Sequence, residues 1–364
     1  MFNTRFLIRA AGTTAFMVLA TAAVNLYVDP AKLFDWGHQY ERGMAKILGQ
    51  GKYVVGMSNY DERILQKMRT EEAPLTEPEW IVMGSSRSMQ ISSDMLGKPV
   101  LNLSVSGASI EDHVAISQMV SGWPGKKFIV GADPWILNAN SDQDRWLSVC
   151  DDYRNGLELV GLPKLSSGLR CSRNVRWRQL MNFEYSKTSA LGLLNRIRQG
   201  RFDYSEKTET SPDPLRDTIR SDGSRMYNLK FASRTPEETS AYVKKRSQPP
   251  LYALNKFEEI DERYWTMFWG LMAHLKEKGK ENVVIYLPAY HPEMYPQLIR
   301  HVPAMQHLEE KIRAKADSLG IEVRGSYDPA AANCRQSEFY DDIHPREPCI
   351  ERQLLSAKAL TRSK

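Results

Sequence analysis

Short apolar runs alternate with helical patterns along most of this 364-residue chain. Five runs end in small or polar residues and fit parallel strands covered on both faces; they are Trp80–Met83, Val100–Leu103, Phe128–Val130, Val283–Leu287 and Ile321–Val323. The spacing of apolar residues predicts helices at Asp61–Thr70, Ile110–Val120, Glu258–Lys278 and Ala304–Leu319. This alternation predicts an α/β protein built on an open, parallel sheet.

The N-terminus carries a different pattern. Arg5 and Arg9 precede an uncharged run from Ala10 to Val28, and roughly 19 apolar residues suffice to cross a bilayer as a helix. Positive residues ahead of this run, with no comparable stretch later, predict a single-pass inner-membrane protein whose body faces the periplasm. A cleaved signal peptide is the alternative, because Ala20-Thr21-Ala22-Ala23 resembles a cleavage site.

These patterns predict three parts. Residues 1–29 form a cytoplasmic tip and transmembrane anchor, residues 30–78 a juxtamembrane connector, and residues 79–364 the α/β domain. A polar stretch from 140 to 254 interrupts the domain. We expect it to be a lid over a ligand site, since ligands enter such sheets at the carboxyl ends of the strands, or a surface insertion without that role.

Charge and cysteine content limit the partners and the cellular compartment that we expect. The net charge of +5 is small and the basic residues are scattered, so we expect no nucleic-acid partner. An even number of cysteines in an exported chain indicates disulfides, and proximity favours Cys150–Cys171 and Cys334–Cys349. The second pair would close a loop worth about 3 kcal/mol. Four free thiols are the alternative, and zinc-type Cys-x-x-Cys spacing is absent from the sequence.

Two distant segments carry the candidate chemistry. The first predicted strand runs into Gly84-Ser85-Ser86-Arg87, and Asp341 stands three residues before His344 near the end of the chain. A serine at a strand end, with a histidine base and a carboxylate that orients it, supplies the roles of nucleophilic acyl chemistry. Ser85 is the alternative nucleophile, and Asp342 is the alternative orienting group.

These segments resemble the motifs of the SGNH (GDSL-type) hydrolase superfamily. Gly84-Ser85-Ser86 occupies the position of its Gly-Asp-Ser block, Gly107 that of its second-block glycine, and Asp341-x-x-His344-Pro345 that of its last block. The resemblance covers residues 79 to 345 apart from the insertion. It implies a three-layer, flavodoxin-like parallel sheet with Ser86 as nucleophile, His344 as base and Asp341 as its partner.

The Gly-Ser-Ser variant and the N-terminal anchor resemble the membrane-tethered branch of this superfamily. That branch implies acyl transfer or ester hydrolysis on an O-acylated cell-envelope glycan through an acyl-Ser86 intermediate, with no cofactor. It also implies a membrane-bound O-acyltransferase as a partner. Transferase and esterase differ in whether a sugar hydroxyl or water resolves the acyl-enzyme.

An acyl-transfer site also needs donors for the oxyanion. The backbone N–H groups of Ser86 and Gly107 are the expected pair. Asp133 stands where the family has an asparagine donor, and an ionised carboxylate has no hydrogen to donate. Arg87, Asn138 or a protonated Asp133 are the candidate replacements.

Further residues are candidates for substrate binding. Arg87 follows the nucleophile, and Tyr290 and His291 follow the fourth predicted strand, so we expect the three to line the acceptor pocket. A proline-bounded loop with a surface histidine is the alternative for the latter two.

Two other functional classes stay open. A non-catalytic component that binds glycan or a membrane partner is favoured by Asp133. A metal-dependent hydrolase would use Asp341, Asp342, His344 and His291.

Overall fold

The computed structural model describes residues 4–29, 38–57, 60–72, 77–163, 180, 183–199, 208–209, 213–249, 251–279 and 282–355. Numbered along the chain, the strands are β1 (Tyr53–Val55), β2 (Trp80–Met83), β3 (Val100–Asn102), β4 (Lys127–Gly131), β5 (Thr208–Glu209), β6 (Thr218–Ile219), β7 (Arg225–Met226), β8 (Val283–Leu287) and β9 (Glu322–Gly325).

The helices are α1 (Thr4–Val28), α2 (Gln39–Gly49), α3 (Glu62–Glu71), α4 (Ser93–Leu96), α5 (Ile110–Met119), α6 (Cys150–Gly156), α7 (Phe183–Gln199), α8 (Leu229–Ala232), α9 (Pro236–Arg246), α10 (Glu262–Lys278), α11 (Tyr295–His301), α12 (Met305–Ser318) and α13 (Glu347–Leu355). Short 3-10 helices lie at Pro134–Leu137, Arg145–Val149, Leu157–Val160 and Gln336–Glu338.

The five predicted strands form one parallel sheet in the order β3-β2-β4-β8-β9. Counted along the chain within this sheet, the order is 2-1-3-4-5, one of the two common doubly wound arrangements. The α/β class, with helices flanking a parallel sheet, is therefore confirmed. The order of the strands reverses beside β2, and ligands of open α/β sheets bind at such a point, beyond the carboxyl ends of the strands.

The strands β2, β3, β4 and β8 are largely buried on both sides, which explains why they read as continuous apolar runs. Strand β9 lies at one edge of the sheet, and its Glu322 is exposed. Ile81 and Met83 of β2 belong to the large core, whereas Val82 faces a smaller cluster on the other side. Helix α13 covers that second side with Ile350 and Leu354. The sheet thus lies between two helical layers.

Capping residues set where the predicted helices begin. The side chain of Asp61 accepts from the N–H groups at the start of α3, and Ser109 forms a capping box at the start of α5. Helix α10 begins later than predicted, because Asp261 caps it and accepts from Tyr264 N. The apolar spacing in the sequence places residues 258–261 in this helix, whereas the structure places them in the loop before it.

A second, antiparallel sheet has the order β5-β1-β6-β7. It joins β1, from the predicted connector, to three strands of the predicted insertion. Helix α3 also buries Ile64 and Leu65 in the main core. Residues 38–57 and 60–72 are therefore part of the folded body, because they close one side of the α/β domain.

The disulfide Cys334–Cys349 is present, with its Cα atoms 5.3 Å apart. Cys150 is also disulfide-bonded, and its predicted partner Cys171 lies outside the described residues. A disulfide indicates an oxidising compartment. Helix α1 is long and apolar enough to cross a membrane.

Candidate active site

Ser86 lies three residues beyond Met83, the last residue of β2. Val105 N donates to Gly84 O at 2.9 Å, so the chains after β2 and β3 continue side by side. Gly84 is required for this turn, because a Cβ there would stand 2.6 Å from Ser88 Oγ and 3.2 Å from the Cα of Gly131. The close approach of β2 and β4 presents Ser86 at the carboxyl edge of the sheet.

Three side chains that are far apart in sequence meet at this edge. Ser86 Oγ lies 2.8 Å from His344 Nε2, across 258 residues of chain. His344 Nδ1 lies 2.9 Å and 2.8 Å from the two carboxylate oxygens of Asp341. A carboxylate can only accept, so Nδ1 carries the hydrogen and Nε2 is left to accept from the serine hydroxyl.

Asp341 is held as an anion by its surroundings. Burial raises the pKa of this carboxyl, but the charge of His344 and its hydrogen bond outweigh burial, and the backbone N–H groups of Ile343 and His344 donate to the same carboxylate. The pKa of Asp341 is consequently lowered to about 2. The carboxylate stays charged at neutral pH and fixes both the tautomer and the orientation of the ring.

The alternative residues point elsewhere. Ser85 is fully buried, and its Oγ accepts from Arg87 N at 3.1 Å. Asp342 pairs with Arg246 at 3.1 Å, while burial and the charge of Asp341 raise the pKa of the Asp342 carboxyl. Of the two serines and two aspartates, the contacts with His344 are made by Ser86 and Asp341.

Two backbone N–H groups are the candidates for binding an oxyanion. Gly107 follows β3 as Ser86 follows β2, and within the described part of the chain neither Ser86 N nor Gly107 N has an acceptor. Gly107 has φ +55, and a Cβ there would collide with the guanidinium of Arg145 and stand 2.7 Å from the hydroxyl of Tyr252. Only glycine fits this position without strain or collision.

The loop that carries Gly107 is fixed by α3. The carboxylate of Glu62 accepts from both the N–H and the hydroxyl of Ser106. Arg63 donates to Ser106 O at 3.2 Å and forms a buried ion pair with Asp112. Helix α3 therefore holds the second oxyanion candidate in place.

Asp133, which stands where the resemblance to SGNH hydrolases implies an asparagine donor, accepts rather than donates. Its Oδ1 lies 2.9 Å from a guanidinium nitrogen of Arg87, and both side chains are fully buried. Asn138 donates its amide hydrogens to Ala253 O and Asn255 O. Neither Arg87 nor Asn138 is therefore directed at the oxyanion.

Arg87 does not reach the acceptor pocket, contrary to the expectation from sequence. Its guanidinium donates to the carbonyls of Ile343, Pro288 and Ala289 at 2.6–2.8 Å and lies 3.9 Å over the ring of Tyr290. The residue ties the loop after β8 to the loop that carries His344.

Tyr290 and His291 are also buried, with exposures of 1% and 0%. His291 Nδ1 accepts from Glu293 N, and burial lowers the pKa of the imidazole. Neither side chain therefore reaches the surface, contrary to the expectation that both line an acceptor pocket.

An aromatic cluster lies beside His344, and the sequence analysis did not identify it. The ring centroids of Tyr227 and Phe231 lie 6.3 Å and 6.5 Å from that of His344, and Phe231 stacks on Tyr340. Tyr227 also donates to Ser86 O at 3.4 Å. No local motif marks these residues, because β7 and α8 bring them to the site from the polar 140–254 stretch.

The same stretch contacts the loop of Asp341 and His344 at further points. Arg246 of α9 binds Asp342, and Arg346 donates to the carbonyls of Ala232 and Arg234. Ser240 donates to Glu293 in the loop after β8. Residues 213–249 therefore pack directly on the site.

A cavity of about 600 Å³ lies elsewhere, between the ends of α2 and α3 and the start of β3. It is lined by Arg69, Lys98 and Asp222 among others, and by no member of the Ser86–His344–Asp341 cluster. The side chain of His344 is 18% exposed. A substrate would therefore reach Ser86 from the surface and not through this cavity.

Within the described residues, no cluster of His, Cys, Asp and Glu side chains is arranged to hold a metal ion. Comparison with models of known protein families finds no match, and comparison with curated proteins finds none either.

Proposed function

We propose that this protein transfers or hydrolyses acyl esters through an acyl-Ser86 intermediate. The observation that carries the proposal is the hydrogen-bonded chain from Ser86 Oγ through both nitrogens of His344 to Asp341. This is the geometry that a serine needs to become a nucleophile.

In the proposed reaction, Ser86 Oγ attacks the carbonyl carbon of an ester while its proton passes to His344 Nε2. Asp341 stabilises the imidazolium through Nδ1–H. The N–H groups of Ser86 and Gly107 bind the oxyanion of the tetrahedral intermediate. Collapse of that intermediate expels the alcohol, which takes the proton from Nε2, and leaves an acyl-Ser86 ester.

His344 then acts as base a second time. It takes a proton from water in an esterase or from a sugar hydroxyl in a transferase, and that oxygen bonds to the acyl carbon. The bond from this carbon to Ser86 Oγ then breaks as the proton passes from Nε2 to Ser86 Oγ. Tyr227 and Phe231 are half-buried beside His344, and their rings are suited to contact a sugar face at this point.

We assign the domain to an SGNH-like fold. Support comes from the strand order 2-1-3-4-5, from the serine after the first strand of the sheet and from the Asp-x-x-His segment after the last. A substrate in the cell envelope, specifically an O-acylated glycan, rests on the resemblance to the membrane-tethered branch. The disulfide and the apolar helix α1 fit an exported, membrane-attached protein.

The buried pair Arg87–Asp133 favours a second candidate, a non-catalytic glycan- or partner-binding component. Losing one oxyanion donor typically costs about 10²–10³ in kcat, and Asp133 replaces that donor with an acceptor. If the two backbone donors do not suffice, the site would bind a ligand without turning it over.

Incubation of the full chain in detergent with p-nitrophenyl acetate separates the two candidates. The enzyme should release p-nitrophenol and carry a transient acetyl group on Ser86, detected by intact mass, and Ser86→Ala should abolish both. A folded wild-type protein with neither adduct nor turnover would support the binding component instead. Adding an oligosaccharide acceptor distinguishes acetyl transfer to the sugar from release of acetate.

A further inference from the structure

Helix α7, from the polar stretch, packs against the end of the candidate membrane span. The side chain of Asn25 donates to Ser186 Oγ at 2.7 Å and to Leu180 O at 2.8 Å. Tyr185 donates to Asp29 at 2.6 Å. These bonds fasten the start of α7 to the last turn of α1.

The contact continues along both helices through small and polar residues. Ser189 and Gly192 are buried on α7, and Thr21 and Ala22 are half-buried on α1, whereas residues 4–20 of α1 are exposed. Small residues and cross-helix hydrogen bonds from asparagine and serine are the features by which helices associate in membranes. This interface is therefore compatible with lipid surroundings.

The depth of the contact follows from helix geometry. Residues 21–28 cover about 10 Å of axis at 1.5 Å per residue, at one end of a run that would cross about 30 Å of hydrocarbon. A helix packed there lies within the leaflet from which Val28 emerges.

The opposite face of α7 is apolar and uncovered. Leu191, Leu194 and Ile197, spaced three residues apart, are 55%, 61% and 64% exposed. Among the described residues, other strongly exposed large apolar side chains lie on α1 itself or at four scattered positions: Leu215, Leu229, Tyr252 and Leu355. Within the described residues, the stripe of exposed apolar side chains on α7 is thus the group that lies on the helix packed against α1.

Cationic side chains border the stripe. Lys187 and Arg198 are exposed near its two ends, and the one carboxylate in the sequence of α7, Glu184, stands at its start. Lysine and arginine place their apolar stems along a lipid surface while their charges reach the headgroups. The charge pattern therefore matches an anionic bilayer surface.

We propose that α7 is a second membrane element, embedded in the leaflet at the Val28 end of α1, with Leu191, Leu194 and Ile197 facing lipid. The proposal requires that α1 is retained, because cleavage within Ala20–Ala23 would remove half of the α7 contact. It is independent of the acyl chemistry, and it fixes the body of the protein against the membrane at two helices instead of one.

Site-specific fluorescence in lipid nanodiscs tests the proposal on the full chain. Leu194→Cys is labelled with an environment-sensitive NBD probe, which is selective because the structure shows no free native thiol among the described cysteines. Leu19→Cys on α1, 69% exposed, is the lipid-facing control, and Leu215→Cys, 78% exposed on a turn, is the water-facing control. The discs contain phosphatidylethanolamine and phosphatidylglycerol, with or without a doxyl-labelled lipid.

We expect blue-shifted emission at position 194, quenched by doxyl lipid to an extent similar to that at position 19, with position 215 unaffected. Emission at 194 like that at 215 would overturn the proposal. A blue shift without quenching by lipid would also overturn it, since the stripe would then contact protein, such as a second copy. Loss of residues 1–23, seen by intact mass, would remove its premise.

Discussion

Ser86 and Arg87 are neighbours in sequence, yet they belong to two polar clusters with opposite properties. The cluster of Ser86, His344 and Asp341 reaches the surface, and the oxyanion candidates beside it have no acceptor among the described residues. The pair of Arg87 and Asp133 is sealed, and the guanidinium makes hydrogen bonds to the pair's carboxylate and to three carbonyls.

The difference shows how the same kinds of residue separate into reactive and structural roles. A buried charge is tolerated when it is paired and hydrogen-bonded, and removing one partner then costs stability. The Ser86 hydroxyl meets its base near the surface, so removing it should cost little stability, although the proposed reaction depends on it. Mutation of Ser86 should therefore cost activity, whereas mutation of Arg87 should cost stability.

The largest expected effect is on turnover. Ser86→Ala should lower acyl turnover by about 10³-fold or more, with an unfolding free energy within about 1 kcal/mol of wild type, because the hydroxyl is half-buried. Steady-state hydrolysis of p-nitrophenyl acetate and urea unfolding measure the two quantities. Ser85→Ala is the matched control and should retain turnover; an equal loss in both variants would contradict the assignment of Ser86.

Mutation of the pair Arg87–Asp133 should instead lower stability. Arg87→Met leaves Asp133 buried without its cation and should lower the free energy of unfolding by about 3–5 kcal/mol. Urea unfolding measures this, and Arg87→Met combined with Asp133→Leu should recover part of the loss. A variant of normal stability with a raised KM would show instead that Arg87 binds substrate.

Substitution of Gly107 tests whether a loss of activity comes from backbone strain or from disturbance of the candidate oxyanion site. Gly107→Ala places a methyl group against the ends of the Arg145 and Tyr252 side chains. If the N–H of residue 107 binds the oxyanion, its displacement should lower kcat by about 10²-fold. Gly97 has a similar φ of +61, and no atom lies within 4 Å of the position that a Cβ would take there. Gly97→Ala should therefore reproduce the backbone strain without the loss of kcat, and equal kcat losses in both variants would assign the effect to strain alone.

The smallest expected effect is the pH dependence of the stability that Asp341 contributes. Because the pKa of Asp341 is lowered from 3.8 to about 2 in the folded state, the carboxylate stabilises the fold above its ordinary pKa by about 2 kcal/mol. This contribution should disappear as the pH falls from 3.8 to about 2. Unfolding of wild type and Asp341→Asn across this range should show the stability difference shrinking; a constant difference would contradict the shift.

Much of the fold could be predicted because the strands alternate regularly with helices, and β2, β3, β4 and β8 are largely buried on both faces. The end of β2 at Gly84, the Asp-x-x-His segment and the Cys334–Cys349 pair were likewise visible locally. The burial of Arg87, Tyr290 and His291 could not be predicted from the sequence, because the exposure of a loop residue depends on what packs over it. The contacts of Tyr227 and Phe231 with His344 depend on the path of residues 213–249, for which the sequence holds no repeat or motif.

The most direct test is the reaction of the full chain with a fluorophosphonate, which bonds covalently to a serine hydroxyl activated by a base. The geometry predicts one phosphonyl group per chain, mapped by peptide mass to Ser86 and lost in His344→Ala. A folded wild-type protein that stays unmodified, or is modified at a site other than Ser86, would contradict the account.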